Sequence, residues 1–267
     1  MTFDSYLSSF GDISKLDREI LLREMDRVWD ECGLDNLRNL SEQAINVMAF
    51  YSHNVWILNG LFSELDPVSR SHRLSMADFI TELPVVKIAD YGGGSGVLAK
   101  FIAERSSSLT VDIIEPFPSD YFKNRVQGIC NINFVSELNP QYDLLIAQDV
   151  LEHVDDPVGL ALTLIDSVRL NGYVIFANCF YPDIKCHLPS TFYLRHQFKR
   201  VVGFAGLEFV TNVQGASHAF VFRKVRDANI SAVYKANSFA KLWGPVLNKL
   251  STHVFYLKRA VKKYAGR

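Results

Sequence analysis

Apolar positions change their period twice along this chain. Up to about residue 82 they recur every three or four residues, the spacing of one helix face. Asp12 suits the N-cap of a helix carrying Ile13, Leu16, Ile20 and Val28, with Gly33 as its stop. Ser41 suits the start of a second helix through Ile45, Met48, Val55 and Leu58. Asp66-Pro67 breaks that pattern, and a third helix near 68–82 ends at Leu83-Pro84. From 85 to about 180, short apolar runs alternate with helical stretches: Ile88-Ala89, Leu109–Ile114, Tyr142–Ala147 and Tyr173–Phe176. Such alternation predicts a mostly parallel, doubly wound α/β sheet with right-handed crossovers. Leu207–Val210 and Ala219–Phe222, separated by a turn containing Gly215, predict an antiparallel terminal hairpin. The helical period then returns. Gly244-Pro245 can open an amphipathic helix in which Trp243, Leu247, Leu250, Val254, Leu257, Val261 and Tyr264 recur at alternating gaps of four and three.

Three segments follow from these shifts: 1–84, helical; 85–226, the α/β sheet; and 227–267, a helical tail. A chain of 267 residues that is 48% hydrophobic can bury one large core and an accessory region. Its net charge of −1 gives no global field, so nucleic acid is not an expected partner. Charge is nonetheless unevenly placed: after Asp227 there are eight Lys and Arg and no Asp or Glu. That composition puts a basic face beside the apolar stripe. The stripe at residues 243–264 then suits docking on the protein's own body, pairing with a second copy, or peripheral contact with an anionic membrane. Cys32, Cys130, Cys179 and Cys186 fall at no metal-site spacing and are too few for a disulfide framework, which suits a reducing cytoplasm; no metal is expected. The first residues show no basic region followed by an apolar one, and no apolar run is long enough to span a bilayer.

The chemistry concentrates where strands end. The run Ile88-Ala89-Asp90-Tyr91 enters a turn with glycines at 92, 93, 94 and 96, followed by a helix from Val97. Glycine lets the backbone reach positive φ and lets a ligand lie against the main chain, while the helix start offers unpaired N–H groups. The spacing departs from the dinucleotide G-x-G-x-x-G pattern, since Val97 stands three after Gly94. This argues against NAD and towards a cofactor without a pyrophosphate. Glu115, at the end of the second strand, is placed to accept hydrogen bonds from both hydroxyls of a ribose. The fourth strand, at Tyr142–Ala147, delivers Gln148 and Asp149 to the same sheet edge.

The turn from Asp90 to Gly96, Glu115, and the run from Tyr142 through Gln148-Asp149-Val150-Leu151-Glu152-His153-Val154-Asp155-Asp156-Pro157 resemble class I S-adenosylmethionine-dependent methyltransferases. Within them, the Leu-Glu-His-Val segment is similar to small-molecule O-methyltransferases of the ubiquinone-biosynthesis type. The segment Arg169–Phe176 resembles the family's turn into its fifth strand, with Asn171 in place of a more usual glycine. The resemblance covers about 85–225 and implies a Rossmann-like fold with an N-terminal helical lid and S-adenosyl-L-methionine as cofactor. It implies Asp90, Gly92 and Gly94 against the methionine part, Glu115 on the ribose, and Pro116 and Phe117 beside the adenine. It further implies Gln148 near the cofactor's amino group and Ser136 and Glu137 near the adenine amino group, with Tyr91 and Asp149 also lining the site. The segment carrying Ser136 and Glu137 is shorter than the family's usual one.

A hydroxyl acceptor must lose a proton, so histidines near the crevice are the candidate bases: His153 after the fourth strand and His187 in the loop after the fifth. His153 equally suits a packing role under the cofactor loop. Tyr51 and Trp56 read as core, and Arg70, His72 and Arg73 as a solvated face. The expected function is O-methylation of a small-molecule or sugar-containing acceptor, extending to a surface-polysaccharide or lipid-linked precursor. The competing reading is a non-catalytic, cofactor-binding regulatory or scaffold protein.

Overall fold

The computed structural model describes the backbone of residues 3–265 and the side chains of residues 5–251. Five helices lead: α1 (Phe3–Ser8), α2 (Arg18–Glu31), α3 (Ala44–Tyr51), α4 (Asn54–Leu65) and α5 (Pro67–Thr81). Their boundaries correct the expected ones through capping. The Asp12 carboxylate accepts from the Ser14 N–H and starts only a short turn at 13–15. Asp17 accepts from the Glu19 N–H and starts α2. The second expected helix is two, because His53 Nδ1 accepts from the Val55 N–H at 3.1 Å and restarts the helix after Ser52. Pro67 occupies the first turn of α5, with Asp66 accepting from the Ser69 N–H at 2.8 Å.

Helices α1 to α4 surround Leu21, Trp29, Phe50 and Leu58, and the same cluster takes in Cys186 and Leu188 from the loop after the fifth strand. Met76, Ala77 and Ile80 of α5 instead join the core of the sheet. The sheet comprises β1 (Lys87–Tyr91), β2 (Thr110–Ile114), β3 (Ile132–Val135), β4 (Tyr142–Gln148), β5 (Val168–Ala177), β6 (Leu207–Val213) and β7 (Ala216–Lys224). Their order is β3-β2-β1-β4-β5-β7-β6. β1 to β5 run parallel, and β7 lies antiparallel between β5 and β6. The predicted hairpin is β6–β7, turning at Gln214-Gly215. Helices α6 (Val97–Arg105), α7 (Asp120–Val126), α8 (Pro157–Asp166) and α9 (Phe198–Phe204) cover the two faces, each backed by its own apolar cluster. Asn171 adopts φ +67°, the conformation for which glycine would be more usual. Strand order reverses between β1 and β4, so a crevice opens outside their carboxyl ends.

The terminal helix α10 (Ile230–Ala265) starts well before Gly244-Pro245 and passes through that pair. Val233, Ala236 and Ala240 pack into the main core, which holds the helix on course past a proline that removes one backbone hydrogen bond. Gly244 is required by close approach: a Cβ there would lie 2.2 Å from the Tyr193 carbonyl oxygen. Leu247, expected on the apolar stripe, is half-buried, whereas Trp243, Val246 and Leu250 are exposed. The side chains of Val254, Leu257, Val261 and Tyr264 lie outside the described residues. Among the described residues, no helix is long and apolar enough to cross a membrane.

Candidate active site

The glycine turn is tied to the sheet at its start and closed on itself at its end. The Gly92 N–H donates to the Ile114 carbonyl at 2.8 Å, and the Gly96 N–H to that of Gly93 at 2.9 Å. Gly92 has φ +69°, and a Cβ there would come within 2.5 Å of Val150, so both conformation and space demand glycine. Asp90 is buried below the turn, and its Oδ2 has no protein partner. Burial pushes its carboxyl up to about 7, opposed by Arg73 and reinforced by Glu115. Tyr91 beside it is half-buried, its phenol raised by burial and by Glu115.

Glu115 reaches across from β2. Its Oε2 accepts the Gly94 N–H at 2.9 Å and its Oε1 the Phe117 N–H at 3.0 Å. Both oxygens are thereby oriented while keeping further lone pairs, in a carboxyl whose pKa is raised by burial. Pro116 is exposed, and Phe117 is half-buried under Tyr51, whose ring stacks on it at 5.1 Å between centroids and 14° between planes. Tyr51 stacks in turn on Trp56 at 5.0 Å. These two aromatics pack against the N-terminal core, as expected, and also form a roof over the crevice.

β4 ends in Gln148 and Asp149. Asp149 takes φ +53°, its N–H held by the Ala177 carbonyl at 2.7 Å, and its Oδ2 accepts from Gln148 Nε2 at 3.3 Å. A non-glycine residue in this region stores strain, which concentrates at functional sites. Ser136 and Glu137 lie beyond β3 at the same edge, both exposed. Arg73, expected on a solvated face, is half-buried with Asp149 and Asp90 as its acidic neighbours, and burial lowers its pKa. Next to it, His72 meets His218 of β7 with ring centroids 4.8 Å apart. Asn178, one residue past β5, has a buried amide with neither atom partnered.

The two candidate bases meet. The His153 and His187 rings lie 4.8 Å apart, nearly perpendicular, and Tyr51 Oη stands 3.4 Å from His153 Nδ1. Burial, then His187, lowers His153 to about 3, and burial also lowers His187, so both rings are neutral at neutral pH. The loop carrying His187 is pinned by the N-terminal helices. Asp26 accepts the Lys185 N–H at 2.7 Å, Asn36 Nδ2 donates to the Lys185 carbonyl at 2.9 Å, and Arg18 pairs with Asp183. Glu152 is fully buried; its Oε1 accepts the Cys179 N–H, its Oε2 has no partner, and burial raises its pKa. Ligand atoms of Glu152, His153 and His187 all lie within 4.8 Å of one another, a set able to hold a divalent cation.

Asp90, the glycine turn, Glu115, Gln148, Asp149, His153 and His187 thus gather at one sheet edge. Tyr51 and Arg73, expected as core and as a solvated face, Glu152 of the Leu-Glu-His-Val segment, and Asn178, not expected at the site, complete the gathering. Of these, the charge of Arg73 next to His72 and the place of Glu152 in the Leu-Glu-His-Val segment gave a signal in the sequence, and Asn178 gave none.

The profile of the family described as a methyltransferase domain matches residues 69–212, more than half of the chain. The chain belongs to the class I S-adenosylmethionine-dependent methyltransferases. This methyltransferase domain is similar to a ubiquinone biosynthesis O-methyltransferase of Yersinia pestis, 28% identical over 152 residues. That match takes in 52% of this chain and spans 61% of the relative's length. In fold it is similar to an O-methyltransferase family protein from Burkholderia thailandensis, at TM-score 0.52 and 15% identity, covering 79% of this chain and 70% of that one. It is likewise similar to human N-acetylserotonin methyltransferase in complex with S-adenosylmethionine, at TM-score 0.52 and 15% identity, with 78% and 65% covered.

Proposed function

We propose that this methyltransferase domain transfers a methyl group from S-adenosylmethionine to an oxygen of a small-molecule acceptor. The observation that carries the reading is the hydrogen bond from the Gly94 N–H to Glu115, which joins the glycine turn to an oriented carboxylate beside a buried, unpartnered Asp90 oxygen. These groups fit the cofactor: Asp90, Gly92 and Gly94 would meet its methionine part, Glu115 its ribose, and Pro116 and Phe117 its adenine. Arg73, facing Asp90 and Asp149, would answer a carboxylate. Gln148 would face the amino group, with Tyr91 and Asp149 lining the site. Ser136 and Glu137, exposed beyond β3, would stand nearest the adenine amino group. When bound, the cofactor supplies a methyl group already activated on a sulfonium.

The protein's remaining tasks are orientation and proton removal. His153 and His187, both neutral, can accept the hydroxyl proton, and Asn178 offers an amide to the acceptor. The same cluster supports a second route, in which Glu152, His153 and His187 hold a divalent cation against the acceptor oxygen. Helices α1 to α4 act as the lid, because Tyr51 roofs Phe117 and the loop of His187 is tied to them. A non-catalytic scaffold has no use for that histidine pair. A lipid-linked precursor, rather than a free sugar, is the acceptor that the basic tail supports.

Purified protein with cofactor and a panel of hydroxyl metabolites should yield S-adenosylhomocysteine and a product heavier by one methyl, and Glu115→Ala should lower donor affinity about tenfold or more by calorimetry. Turnover that survives chelator assigns the proton to histidine, and turnover that requires an added divalent cation assigns the cluster to metal. Unchanged affinity in the Glu115 variant removes the ribose assignment, and donor binding without product on any acceptor favours the scaffold.

A further inference from the structure

Among its described residues, helix α10 turns one face to the protein's own body and leaves another exposed. Ala240 is buried, Asn248 Nδ2 donates to the Phe192 carbonyl at 2.9 Å, and His196 Nε2 meets Ser251 Oγ at 3.1 Å. On another face Phe239, Leu242, Trp243, Val246 and Leu250 form an exposed stripe, with Leu242 at 69% and Leu250 at 57% exposure. The sequence repeats the spacing with Val254, Leu257, Val261 and Tyr264. From Phe239 to Tyr264 the stripe would run about 37 Å along the helix axis. A single exposed leucine is ordinary, whereas a contiguous apolar face marks a surface that is covered in use.

Charge decides what covers it. The segment after Asp227 carries eight Lys and Arg and no carboxylate side chain. Pairing two copies along this seam would set like charges side by side, with no acid on either helix to answer them. An anionic bilayer answers both features: an apolar interior for the stripe and negative headgroups for the cations. Each Lys or Arg near such a surface adds to the attraction, and Trp243 is a residue type that favours the interface. Among the described residues the helix is not long and apolar enough to cross a membrane. We propose that α10, from Phe239 onward, lies in the plane of an anionic membrane surface, its apolar stripe set into the headgroup boundary and its lysines and arginines at the level of the lipid phosphates. Because α10 packs on residues 189–194, directly after the loop of His187, such docking holds the acceptor side of the crevice near the bilayer. The proposal does not depend on the reaction.

The test is co-sedimentation of the full chain with phosphatidylcholine vesicles, with and without about 30% phosphatidylglycerol. Partition onto the anionic vesicles should exceed that onto neutral ones by about tenfold and should fall as salt rises to about 0.5 M. Replacing Trp243→Glu and Leu250→Glu together should lower partition by about tenfold, with circular dichroism and donor affinity unchanged. Wild-type protein that ignores anionic vesicles overturns the proposal, as does binding that the double variant retains. A dimer by light scattering that the same variant converts to monomer assigns the stripe to a second copy and equally overturns it.

Discussion

Asp90 is the residue where stability and ligand recognition oppose each other. Its carboxyl titrates near 3.8 when unfolded and is pushed up to about 7 by burial, so the folded chain holds an extra proton between those values. Folding stability is therefore lost as pH rises through that window. Asp90→Asn removes the penalty: the variant should be more stable than wild type by about 4 kcal/mol at pH 8 and nearly equal below pH 4, read from urea unfolding at both. Donor affinity should fall in the same variant, as at other sites where function is kept at the expense of stability. Asp90 and Glu115 were legible in the sequence because a strand end and a glycine turn are local patterns. Arg73 and Asn178 were not. Enclosure of a guanidinium depends on what folds against it, and an amide left unpartnered past β5 has no local signature.

Between elements, side-chain caps do the joining. Both Asp155 oxygens accept backbone N–H groups across the crevice, from Leu40 at 2.8 Å and Ser41 at 3.0 Å, and so fasten the turn that leads into α3 to the segment after His153. Asp155→Ala should cost about 1–2 kcal/mol in urea unfolding and speed hydrogen exchange across residues 40–51. Equal exchange would mean that the apolar cluster alone holds the helices. Capping is also where helix boundaries escaped the sequence. Asp12 and Asp17 are equally good caps five residues apart, and only packing selects the second for α2. His53 as a cap through its ring nitrogen is rarer still, so the break after Ser52 was invisible to a count of apolar spacing.

On the scale of the whole molecule, the mostly parallel sheet and the terminal hairpin were readable because buried parallel strands leave uninterrupted apolar runs with helical stretches between them, whereas the order of the strands was not. The course of α10 was misread, since Gly244-Pro245 signals a start and only the burial of Val233, Ala236 and Ala240 reveals an earlier one. That burial predicts a difference between two truncations. Removing residues 228–267 should cost on the order of 4 kcal/mol, because it strips Val233 and two alanines from the main core and the Asn237 partner from Tyr193 Oη. Ending the chain after Ser251 should leave the thermal midpoint within about 2 °C of wild type. Calorimetric melting of both forms measures this, and equal losses would show that the distal helix supports the core.

The ring of Tyr51 already rests flat on Phe117, at the very end of α3 and against the Ser52-His53 joint. A purine bound on that phenylalanine has to displace the phenol or slide in beside it. Under the proposed adenine placement, donor entry and release would turn on this joint, whose phenol also stands 3.4 Å from His153 Nδ1.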